Sequence, residues 1–191
     1  MRKWFAYGGI AASVILIAFG IGAIGIGITG YNDVRDEIAV QRIVAGDDAA
    51  ELTNGRLQPG EEITTGAEAR AFADIMEAHT LDATGGKRYA EMGRFLTPDG
   101  KDTSDEALAA KTPDGRPVEN GLRNMWVTET ALTTALNTAF FAERVALFSI
   151  VMGVALLLTG IGFFVLTLGG ALGYVALPKL ARQHSTASAA T

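Results

Sequence analysis

The chain has 191 residues, 49% of them apolar, with 21 acidic against 16 basic side chains and a formal net charge of −5. All 21 acidic residues lie between Asp33 and Glu143, and 12 basic residues lie between Arg35 and Arg144, so that stretch carries 12 − 21 = −9 while both ends are purely basic. An acidic surface of this kind repels phosphate backbones, which excludes nucleic acid as its partner, and the lack of any cysteine excludes disulfides, thiolate catalysis and thiolate metal sites.

From Trp4 to Thr29 no residue is charged. At about 1.5 Å per residue such a run crosses a hydrocarbon core of about 30 Å with some tilt. Arg2 and Lys3 resemble the positive start of a signal peptide. The apolar run, however, is much longer than a signal peptide's core of roughly 7–15 residues, which predicts an uncleaved anchor. Within this segment small residues recur every seven positions at Ala6, Ser13, Gly20 and Gly27, with Gly9, Ala23 and Gly30 three positions on, where Leu16 is the one large residue. Alternating offsets of three and four mark one seam of a left-handed helix pair. Small residues on a seam let two backbones approach, which matters in lipid, where large apolar side chains gain little by leaving lipid for each other.

Past the span the helix is predicted to continue on Val34, Ile38 and either Ile43 or Val44, and to stop at Gly46 with Asp47 and Asp48. A polar loop follows through Asn54–Gly55 and Pro59–Gly60. Thr65 and Glu68 have capping-box spacing and open a helix to about Ala83 whose apolar face is Ala69, Phe72, Ala73 and Met76, with Thr80 a further candidate, closed by Gly85–Gly86. Tyr89, Met92 and Phe95 suggest a further short helical segment. Two near-duplicate turns follow, Thr97-Pro98-Asp99-Gly100 and Thr112-Pro113-Asp114-Gly115. Between them Thr103 and Glu106 predict a second capping box and a helix of one or two turns. No segment alternates as a strand should. After Pro117 and Asn120 a long helix is expected, with Leu122, Met125, Trp126, Leu132 and Leu136 facing inward.

That helix runs into a second apolar segment beginning at Val145, with Gly169, Gly170 and Gly173 near its end and Pro178 closing it. Its seam repeats the first: Ala139, Ala146, Gly153 and Gly160 recur every seven positions, with Ala135, Ala142 and Ser149 at the offset. Whether the two seams join within a chain or between chains is open at this stage. Lys179 and Arg182 follow the second segment as Arg2 and Lys3 precede the first. The positive-inside rule therefore predicts both termini in the cytoplasm and the middle outside a plasma membrane. The expected organisation is a cytoplasmic start at 1–3 and a transmembrane helix at 4–30. An acidic helical extracellular domain at 31–144 follows, then a second transmembrane helix at 145–170 and a membrane-exit segment with cytoplasmic tail at 171–191. The fold class is an all-α membrane protein.

Chemistry is sparse. The Gly20-Gly22-Gly25 match to a dinucleotide fingerprint lies inside an apolar run with no preceding strand, so it reads as packing. His79, with Asp74 and Asp82 a turn away, is short of the three or four ligands a metal site uses, and His184 is expected across the membrane. Glu61–Glu62, Asp47–Asp48 and Asp105–Glu106 suit loops and helix starts, where the dipole favours acids. The hydroxyls of Thr128, Thr130, Thr133, Thr134 and Thr138 have no His or Lys beside them to activate a nucleophile, and Glu129 is the only carboxylate in the middle of its helix. No catalytic, cofactor or metal residues are assigned, and the expectation is not an enzyme.

The segments HTLDATGGKRYAEMGRF (His79–Phe95), WVTETALTTALNTAFFAE (Trp126–Glu143) and GIGITGYNDVRDE (Gly25–Glu37) resemble an uncharacterised family of two-span actinobacterial membrane proteins, over nearly the whole chain. The resemblance implies the outer face of a plasma membrane and no particular chemistry. Some members bear the name of an aromatic ring-opening dioxygenase. Non-haem iron oxygenases typically bind iron through two His and a carboxylate, and one His on each side of the membrane does not make that set.

Three functions are expected to compete. The first is a structural or accessory membrane protein, touching lipid and either self-associating or bound to a larger membrane complex. The second is an oligomeric pore, although neither span carries an ionisable residue to line a water path. The third is an extracellular sensor or binding module, for which the tails leave little to signal with. The first is the reading the residues favour.

Overall fold

The computed structural model describes residues 2–187, with side chains described over 7–169. It contains two long helices, α1 (Arg2–Val40) and α4 (Gly121–Ala187), and between them the short α2 (Ala49–Leu52), α3 (Gly66–Ala83) and a two-stranded hairpin, β1 (Phe95–Leu96) with β2 (Asp102–Thr103). The chain is mostly helical, and two of its helices are long and apolar enough to cross a membrane. It divides into two compact units, residues 2–31 with 145–187, and residues 32–144.

The first unit is an antiparallel helix pair. Ser13 meets Gly160, Gly20 meets Gly153, and Gly27 meets Ala146, so the contacts step by seven up one helix and by seven down the other. Large apolar side chains such as Phe19, Ile26, Phe148 and Leu166 point away from the pair and are exposed. The helix end expected at Pro178 is absent, and α4 continues to Ala187. A proline deletes one donor from the helical ladder, not the ladder itself.

The second unit has its core where the C-terminal end of α1 meets the loop after it and α3. Ile38, Leu57, Ile63, Ala69 and Ile75 are buried together, with Phe72 and Leu136 against them. α1 ends at Val40, earlier than the expected stop at Gly46. Arg42 turns the chain out of the helix at φ 50°, and residues 43–45 then pair with 60–63 through Ile63 N–H to Ile43 O and Ala45 N–H to Glu61 O. Of the two alternatives after the turn, Ile43 is half-buried beside the core and Val44 is 55% exposed.

α3 has the predicted bounds and the predicted cap. The main-chain N–H groups of Thr64 and Thr65 donate to Glu68 Oε2 at 2.7 and 2.9 Å, and Glu68 N–H donates to Thr65 Oγ1 at 3.2 Å. Burial works against the charged form of Glu68, but these donors and the two threonine hydroxyls outweigh it and hold its carboxyl below the usual range. A group depressed on folding stabilises above its unfolded value and loses that contribution as pH falls through the folded one. Stability is therefore expected to decline as pH drops below the ordinary glutamate value of about 4.5. Glu68→Gln, which keeps an acceptor for the cap but removes the charge, should lower stability near neutral pH and flatten that decline. Denaturant titrations of both proteins between pH 3 and 7 check this, and parallel pH profiles would refute it.

Three expectations for the segment after α3 are corrected. Tyr89–Glu91 forms a single 3-10 turn, and Phe95 belongs to a strand rather than to the same helical segment. The two strands have two residues each, too short for alternation to show. Thr103 caps no helix: it is in β2, its Oγ1 accepts from Asp105 N–H, and residues 106–109 make turns. The two TPDG turns are near copies. In each the threonine hydroxyl donates to the aspartate and to the carbonyl four residues on, and the glycine has positive φ. Asn120 starts α4 by accepting from Leu122 N–H, and its Nδ2 donates to Gly93 O. Of the side chains expected inside α4, Trp126 is buried and donates to Lys87 O, and Leu136 is half-buried. Leu122, Met125 and Leu132 are exposed.

Candidate functional site

Most of the seam residues named from the sequence fall on the contact face of the helix pair in the first unit. A Cβ added at Gly20 would lie 2.7 Å from Leu157 N and 2.8 Å from Gly153 O. One at Gly27 would lie 2.8 Å from Ala146 O, and one at Gly160 3.0 Å from Ser13 O. Gly153 meets Gly20 O at 2.7 Å, and Gly9 meets Thr167 Oγ1 at the same distance. Main chain therefore touches main chain along the pair, a closeness only glycine permits. Ser13 is fully buried and donates its hydroxyl to Gly9 O at 2.7 Å, satisfying itself within its own helix. Gly30 stands 3.8 Å from Ala146 Cβ, Ala146 is buried, and Ala23 and Ser149 are half-buried. The Ala6 side chain lies outside the described residues. These contacts are made within one chain. Gly22 and Gly25, which complete the apparent dinucleotide fingerprint, have nothing within 4 Å and face away. Thr167 was not singled out, though it sits seven residues beyond Gly160 in the same repeat.

In the second unit Ala139 of the same α4 seam, with its offset residues Ala135 and Ala142, lines a groove of about 960 Å³. α1 supplies Asp33, Val34, Glu37 and Ile38, the segment just past it supplies Gln41 and Ile43, and α3 supplies Phe72 and Met76. Leu132, Leu136 and Thr138 complete the α4 wall. The groove is open along its length and mostly apolar. Its polar groups sit mainly on one side: Asp33 and Glu37 are exposed and have no ion-pair or hydrogen-bond partner among the described residues.

The groove walls are held by close contacts of their own. Gly66, the first residue of α3, lies so near α4 that a Cβ there would meet Phe140 Cα and Glu143 Oε2, both at 2.8 Å. Glu143 is 5% exposed; Arg35 Nε stands 3.8 Å from it, and the positive end of α3 lies alongside. Arg70 donates to Asn137 Oδ1 at 2.9 Å, a second tie between α3 and α4. Glu143 is thus a buried anchor of the α1, α3 and α4 junction. Its only sequence signal was position, and a buried carboxylate needs partners from elsewhere in the chain to be recognised.

His79 pairs with Asp48, Nε2 to Oδ2 at 2.6 Å, and not with Asp74 or Asp82. That bond holds the Asp48 carboxyl below its usual range. Asp74 is engaged by Arg56 at 2.7 Å. Among the described residues no group of three His, Asp or Glu is placed to hold a metal ion. Glu129 is buried and accepts from Thr130 Oγ1 at 3.2 Å. No family model matches the chain, and neither a curated protein nor a solved structure does.

Proposed function

We propose that this chain is a structural or accessory integral membrane protein that works by binding another membrane component rather than by chemistry. Both long helices cross a plasma membrane, the basic tails remain in the cytoplasm, and residues 32–144 stand outside. The observation that carries the reading is the division of apolar surface. In the first unit the small-residue seam is consumed within the chain by backbone contact, while the second unit keeps a large apolar groove.

Gentle extraction from the native membrane, followed by the mass and polypeptide composition of the complex, tests this. Stoichiometric association with another membrane protein is the expected result for an accessory subunit. A homogeneous assembly of this chain alone would point to a scaffold or pore, which conductance in planar bilayers separates. A bare monomer would overturn the proposal.

A further inference from the structure

We infer that the groove of the second unit receives a cationic amphipathic helix from a different membrane protein. The inference names the partner chemistry for the accessory reading above and rests on it. Three features of the groove converge on a helix. Its α4 wall keeps the seven-residue register of the seam that packs against α1 in the first unit, so the surface is patterned for helical ridges. Leu132, at one end of that wall, is 48% exposed, so an apolar side chain stands uncovered there. From Leu132 to Ala142 the wall is about 15 Å long at the helical rise, which accepts about ten helical residues.

Charge decides what kind of helix. Asp33 and Glu37 are one turn apart on α1, so their carboxylates stand one above the other on a single edge of the groove. Neither is paired with a cation, and the unit that carries them has a formal charge of −9 by the count given above. Lys or Arg residues four apart on an incoming helix would meet both carboxylates while its apolar face covers Phe72, Met76 and Leu132. A second copy of this chain fits badly, because a symmetric contact brings both acidic edges together. A phospholipid chain fits badly for the same reason, since its phosphate would face two carboxylates.

The full-length protein in phosphatidylcholine nanodiscs would be titrated with a fluorescent 14-residue leucine–alanine helix bearing lysines four residues apart, and with its glutamate twin, empty nanodiscs being subtracted. Expected are binding of the lysine peptide, none of the twin, and a loss of about tenfold or more in affinity for the exposed-residue variant Asp33→Asn/Glu37→Gln. Ala135→Trp, which fills the groove without altering charge, should abolish binding while the circular dichroism spectrum stays intact. Equal binding of both peptides, or binding unmoved by Ala135→Trp in a folded protein, would overturn the inference. So would a dimer that Ala135→Trp dissociates, which would make the second copy the occupant. Because the peptide titration needs no native partner, it can fail or succeed separately from the co-purification that tests the accessory role.

Discussion

Gly20→Ala is expected to destabilise the protein by about 1–3 kcal/mol, whereas Gly22→Ala, two residues away in the same helix, should be neutral or stabilising by up to about 1 kcal/mol. The chemical change is identical, and both positions belong to α1. What differs is the space: the new methyl at position 20 meets Leu157 N, Gly153 O and Leu157 Cα at 2.7, 2.8 and 3.0 Å, all main-chain atoms, and at position 22 it meets nothing within 4 Å. Main chain cannot rotate aside as a side chain can, so the helices must separate, and a separation at the middle of the pair also loosens the contacts at Gly27 and Gly160. Gly22 gains only the better helix propensity of alanine. Unfolding of both variants in mixed micelles with increasing sodium dodecyl sulfate, followed by circular dichroism, measures the difference. Equal effects at the two positions would mean that this seam is not the contact face.

Leu57→Ala should cost about 2–5 kcal/mol, the usual range for emptying a fully buried leucine site. Leu57 is 0% exposed and belongs to the cluster with Ile38, Ile63 and Ile75. Its own N–H is tied to Thr53 Oγ1 at 3.1 Å, which limits how far the loop can collapse into the void. Val44→Ala, at a residue 55% exposed, is the control and should change stability by no more than about 0.5 kcal/mol. Denaturant unfolding monitored by far-ultraviolet circular dichroism compares them. A Leu57 variant as stable as the Val44 variant would displace Leu57 from the core.

Leu57 also shows where sequence reasoning stops. It lies between Asn54–Gly55 and Pro59–Gly60 in a stretch that reads as a polar loop, and an isolated leucine in such a loop has no periodic neighbours to mark it as buried. The loop becomes core only because its ends are pinned, Gly60 N–H to Ala45 O and Gly55 N–H to Ala50 O, and because α3 packs over it. The second capping box failed for a related reason. Thr103 and Glu106 have the right spacing, but Gly93 N–H donates to Asp102 and Phe95 pairs with Thr103, so the segment is held extended before a helix could start. Local spacing proposes a structure, and nonlocal hydrogen bonds can outbid it.

The sequence by itself determined the two long apolar helices, the small-residue register along them, the bounds and cap of α3, and the paired TPDG turns. Each of these depends on residues within one or two turns of each other, or on a period that a linear chain displays directly. Only the tertiary structure decided that the two seams close on each other within one chain, that Ile43 and not Val44 turns inward, and that Glu143 is buried beside Arg35 and the start of α3. It also decided that Ala135, Ala139 and Ala142 line one open groove together with Asp33 and Glu37. Those outcomes rest on which distant segments meet, and a repeat of small residues records that a helix packs closely without recording against what.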